Sequence, residues 1–116
     1  MKKCNNYNAM GKYKIIRIIF SLLVLFVLNI ENIYSQQTQI DSIENVLKKY
    51  SKEDTTKVKM LNDLCWLYGR VNPETAIKYG EQSNTLAQKI EYTWGIAESY
   101  KNIGVVYYRI ADYNKA

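Results

Sequence analysis

The chain has no histidine, a single proline, two cysteines and five glycines in 116 residues. Without histidine it loses the commonest general base and a frequent zinc ligand, and with them every Ser-His or Cys-His nucleophile pair. Cys4 and Cys65 lie far apart in sequence, so neither a disulfide framework nor a paired-cysteine metal motif is expected. The scattered glycines build no phosphate-cradling loop. Acidic residues such as Glu81 and Glu98 fall at helix-surface spacings and read as solvated faces. The sequence thus contains no catalytic constellation, and no metal or cofactor is expected.

The net charge of +5 is equally uninformative about nucleic acid. Lys2, Lys3, Lys12, Lys14 and Arg17 all precede the first acidic residue, Glu31. From Gln36 onward there are 11 basic and 10 acidic residues, a net of +1. Phosphate binding needs positive charge gathered on one face, so this segment is not expected to bind nucleic acid.

What the chain does have is an apolar leader. A basic stretch to Arg17 is followed by Ile18 to Leu28, apolar except for Ser21, and then by a polar junction with the small residue Ser35. This order describes a secretory signal peptide over residues 1–35, cut after Ser35. The alternative is an uncleaved anchor through residues 15–30, with Arg17 reaching the surface. A spanning helix wants about 20 apolar residues, and Ile15 to Ile30 supplies fewer. Cys4 precedes the apolar core, where a lipid-attachment cysteine would have to follow it. Either reading sends the remainder across a membrane.

Helical periodicity governs the rest. Ile40, Ile43, Leu47 and Tyr50 predict a short lead-in helix, with a polar linker reaching residue 54. Asp54, Thr55 or Thr56 could each cap a second helix, about Thr56 to Gly69, with Val58, Leu61, Leu64, Cys65 and Tyr68 on one face. Asn72 and Pro73 predict a third helix, where asparagine caps and proline takes the first helical position. It runs to about Ile90 and carries Ala76, Tyr79, Gly80, Ser83, Leu86 and Ala87. In the stretch Gly95 to Ala116, residues Ile96, Ala97, Tyr100, Ile103, Gly104, Tyr107, Ile110 and Ala111 form another stripe. A mid-helix glycine costs about 1 kcal/mol relative to alanine, so Gly104 predicts the close approach of another helix. Ala111, Asp112 and Tyr113 read as a tight break, with Asn114 to Ala116 starting a further helix.

Tyr100, Ile103, Gly104, Tyr107 and Ala116 resemble the helix-turn-helix signature of the tetratricopeptide repeat family in residue class and spacing. A shift of 39 residues superposes Leu61, Leu64, Cys65 and Tyr68 on the first four, and Ala76 lies 40 residues before Ala116. The resemblance implies an all-α fold, an α-solenoid of tetratricopeptide-type hairpins. Residues 55–116 would hold about one and a half repeats, behind the lead-in helix and linker of residues 36–54. Repeats of this kind bury their faces against neighbours, and about three are normally needed for stability. The chain is therefore expected to be part of a longer protein, with further repeats as one of its partners. The spacing exceeds the common 34-residue repeat, and the extra length is expected around Ile90 to Trp94.

The family's repeats line a concave groove with the first helix of each pair. This implies a protein or peptide ligand at Lys59, Asn62, Trp66 and Arg70 in one copy, and at Lys101, Val105, Tyr108 and Arg109 in the next. Trp66 beside asparagine and arginine has the composition of a binding hot spot, the other reading being that it packs on the lead-in helix. Val105 stands where the family's carboxylate clamp would want asparagine, so the clamp is not expected. Cys65 is expected to be a small, inert helix contact. The leader with these repeats also resembles the outer regions of bacterial sensor histidine kinases and membrane-linked transcription regulators. A sensory input domain is implied, with a stand-alone envelope scaffold or the non-catalytic part of an enzyme as alternatives.

Overall fold

The computed structural model describes residues 4–115, and these are almost wholly helical, with no strand among them. In order, α1 spans Cys4–Lys49, α2 Thr55–Tyr68, α3 Pro73–Lys89 and α4 Thr93–Lys115. The chain divides into two compact units, residues 1–37 and residues 38–116. The described residues of the first unit are helical, and their apolar side chains from Ile15 to Leu28 are exposed. The helix is long and apolar enough to cross a membrane.

One difference from the sequence reading lies in α1, which continues through Ser35 into the lead-in segment without a break. Residues 29–39 contain neither proline nor glycine, so nothing in the local chemistry interrupts the hydrogen-bond ladder.

In the second unit α2 packs on α3 and α4, and α3 packs on α4. Their starts and stops follow from side chains. The Asp54 carboxylate caps α2 by accepting from the Lys57 amide at 3.1 Å, and Asn72 Oδ1 caps α3 from the Thr75 amide at 3.1 Å. Pro73 fills the first turn of α3, where its missing N–H loses nothing. At the far end of α3, Glu91 takes a left-handed φ of 57°. This lets the Glu91 and Tyr92 amides reach the Gln88 and Ala87 carbonyls at 3.1 and 2.8 Å. Where the extra length between repeats is expected, only Ile90, Glu91 and Tyr92 separate α3 from α4.

The core joins Val58 and Leu61 of α2 to Leu86 and Ala87 of α3, with Leu47, Tyr79, Ile90, Tyr92 and Ile96 packed around them. Glu44 ties the lead-in segment to this body. Its Oε1 accepts from the Tyr68 and Tyr79 hydroxyls, both at 2.8 Å, and those two rings stack with centroids 5.6 Å apart. Burial, with the Glu44 carboxylate alongside, pushes both phenols up to about 12.

Two expectations for α4 fail. The break at Ala111, Asp112 and Tyr113 is absent, and Asn114 and Lys115 belong to the same helix. Alanine is the best helix former, and no glycine or proline follows Gly104. Ala116, expected to open the next helix, lies outside the described residues. Gly104 makes no close approach either: a Cβ there would meet nothing within 4 Å. The close approach falls at Gly80, where a Cβ would stand 2.5 Å from Ile103 Cγ1 and 3.0 Å from Cys65 Sγ.

Candidate functional site

Which face of α4 meets the body decides what remains open for binding. Its buried residues are Gly95, Ser99, Asn102 and Val106, flanked by the half-buried Ile96, Ile103 and Ile110. Ala97, Tyr100, Gly104, Tyr107 and Ala111, expected to be part of the core stripe, are exposed instead. On α2 the corresponding residues, 39 positions earlier, are covered: Val58 and Cys65 are fully buried and Leu61 nearly so, while Tyr68 is half-buried against Tyr79. Of the packing residues expected in the first copy, Leu61, Leu64, Cys65 and Ala76 are buried and Tyr68 is half-buried. Among the described packing residues of the second copy, only Ile103 is partly covered, while Tyr100 and Tyr107 are 60% and 55% exposed.

The other side of the α2–α4 contact forms a cleft of about 230 Å³, lined by Asn62, Asp63, Trp66, Glu98, Lys101 and Asn102. Three of the sequence-predicted ligand residues, Asn62, Trp66 and Lys101, meet here. Asn62 is not outward-facing as expected but 3% exposed, and its Nδ2 donates to the Gly95 carbonyl at 3.4 Å. Asn102, also 3% exposed, donates through Nδ2 to the Asn62 carbonyl at 3.3 Å. The two amides hold α2 and α4 together, and both leave Oδ1 buried without a partner. Trp66 is half-exposed, and the Arg109 guanidinium lies 5.1 Å from its ring centroid, so α4 covers one side of the ring.

The remaining predicted residues are dispersed. Arg70 and Arg109 line a neighbouring recess of about 310 Å³ with Gly69, Pro73, Ile110 and Tyr113. Lys59 and Tyr108 are exposed and Val105 is half-buried, and none of the three lines either cleft.

The electrostatics of the smaller cleft are mildly negative. Lys101 Nζ pairs with Glu98 Oε1 at 2.6 Å. Partial burial, and then the nearby Glu98 charge, hold the Asp63 carboxyl above the usual carboxylate range. No thiol contributes: Cys65 is fully buried and desolvation pushes it up to about 11, which keeps it protonated and inert.

The sequence reading missed Asp63 and Asn102 and assigned Glu98 to solvent. Ser99 and Asn102, spaced three apart between Gly95 and Val106, were the available signal. Polar residues at that spacing resemble a surface unless their hydrogen bonds are known. Ser99 Oγ, for instance, accepts from Asn84 Nδ2 at 2.7 Å and donates to the Ile96 carbonyl at 2.7 Å.

Comparison with protein-family models, curated proteins and solved structures returns no match.

Proposed function

We propose that the chain is a non-catalytic peptide-binding module of tetratricopeptide type, serving as the sensory input part of a larger bacterial signal-transduction protein. The observation that carries this reading is the repeated face. Val58, Leu61, Cys65 and Tyr68 of α2 receive α3, while Ala97, Tyr100, Gly104 and Tyr107 of α4 repeat that face and stand open. On this reading the open face takes a further hairpin of the same full-length protein. The opposite cleft, with Trp66 at its edge, takes an extended segment of a protein ligand. The apolar part of α1 supports export, as a leader or an anchor, and on this reading the groove faces the periplasm.

A random peptide library panned on the full chain in detergent micelles tests the groove. Peptides that bind the chain lose about thirtyfold in affinity on Trp66→Ala, the size of a 2 kcal/mol hot spot, and are unaffected by Trp94→Ala. Selected peptides that tolerate Trp66→Ala would place recognition elsewhere and refute the groove.

A further inference from the structure

The chemistry of the small cleft says more about its ligand than its size does. Asn62 and Asn102 are each 97% buried by the exposures above, and each directs its NH2 group at a backbone carbonyl. Turning either amide over would set oxygen against oxygen, so the atom left without a partner is an acceptor in both cases. A buried unsatisfied acceptor is costly, and only a donor relieves it. The same cleft holds two carboxylates and one ammonium. Lys101 is engaged with Glu98, and among the described residues no cation pairs with Asp63. Trp66 adds an aromatic ring that already attracts a guanidinium on α4. Unpartnered acceptors, an unpaired carboxylate and an indole ring all favour a cation rich in N–H donors, and they repel an anion.

We propose that this cleft is a subsite for a basic side chain, the ammonium or guanidinium of a lysine or arginine in the bound segment. The inference rests on the groove reading given above and assigns it the sign of its ligand. The incoming cation meets Asp63 and Glu98 and donates to Asn62 Oδ1 and Asn102 Oδ1, while its aliphatic stem lies along Trp66. Both oxygens are buried, and the exposed Lys101 side chain on Glu98 is the cation already present in the cleft. Displacement of that exposed side chain is therefore part of binding, and Lys101 acts as the built-in competitor of the ligand.

The test is a titration of the full chain in detergent micelles, followed by NMR at the Asn62 and Asn102 side-chain amides and the Trp66 indole. The probes are N-acetyl-lysine methylamide and N-acetyl-arginine methylamide, with the norleucine and glutamate analogues as controls. The basic probes shift these signals with a dissociation constant on the order of millimolar, and the controls do not. Asp63→Asn weakens the basic probes about two- to fivefold, the span of a solvent-accessible ion pair. Lys101→Ala tightens them by a similar factor. Equal binding of norleucine, no shift with any probe, or weaker binding in Lys101→Ala overturns the basic-side-chain assignment. Binding of the glutamate analogue that is lost in Lys101→Ala overturns it too, but leaves a peptide groove of opposite preference. Failure of the Trp66→Ala panning experiment removes the groove itself.

Discussion

Asp54 at the N-terminus of α2 and Asp63 within the same helix respond to folding in opposite directions. The Tyr50 hydroxyl, donating to Asp54 at 2.7 Å, and the amides of the first turn of α2 hold its carboxyl below the ordinary range. A lowered acid binds its proton more weakly in the folded chain. Its stabilisation is complete above the unfolded value of about 4 and is lost as the pH falls through the folded value. Asp63 is raised by burial and by Glu98, so its contribution is complete below its unfolded value and is lost as the pH rises through the folded one. Thermal unfolding followed by circular dichroism at several pH values separates the two. Asp63→Asn raises the melting temperature at pH 7 and has little effect near pH 3. Asp54→Asn removes part of the acid sensitivity below about pH 4. The Asp54 cap was legible because an acidic residue before an amphipathic run is a local signal. The Asp63 environment depends on Glu98, which α4 brings back across a long stretch of chain.

At the scale of the element, Gly80 of α3 and Gly104 of α4 differ in what surrounds them. Gly80 is pressed between Ile103 and Cys65, whereas Gly104 faces open space. Gly104→Ala is expected to stabilise the chain by up to about 1 kcal/mol through helix propensity alone. Gly80→Ala gains the same propensity but must displace Ile103, and overpacking of this kind costs about 1–3 kcal/mol. Urea unfolding of the two variants should therefore shift the midpoint in opposite directions. The helices themselves were legible to within a few residues at Asp54, Asn72 and Pro73, where capping chemistry is local. The rotation of α4 was not. Tyr100, Gly104 and Tyr107 have the right period for a core stripe, yet Ser99 and Asn102 occupy the buried side because their polar groups reach Asn84 and the α2 backbone. Period identifies a helix and a stripe, whereas hydrogen bonds made after folding decide which neighbouring stripe is buried. The false break at Ala111 has a similar origin, since a turn was inferred from three residues that are all compatible with helix.

Across the molecule, one apolar pattern is covered on one helix and exposed on another. The face of α2 is covered by α3 and braced by Glu44 through Tyr68 and Tyr79, while its counterpart on α4 is open. The all-α class and the apolar N-terminal helix were both legible in composition and periodicity, because each rests on a long run of residues. The site was legible only in part: Asn62, Trp66 and Lys101 converge, but Lys59, Val105 and Tyr108 do not join them. A one-residue difference in the α4 interface is enough to separate Val105 and Tyr108 from the cleft, since successive residues point about 100° apart around a helix. The measurement that tests the proposed groove most directly is chemical-shift mapping of a library-selected peptide on the isotope-labelled full chain. The predicted result is a continuous footprint on Asn62, Asp63 and Trp66 of α2 and on Glu98, Lys101 and Asn102 of α4. A footprint confined instead to a separate recess of about 550 Å³, where Glu53 and Lys57 face Lys78 and Lys89 of α3, would contradict it.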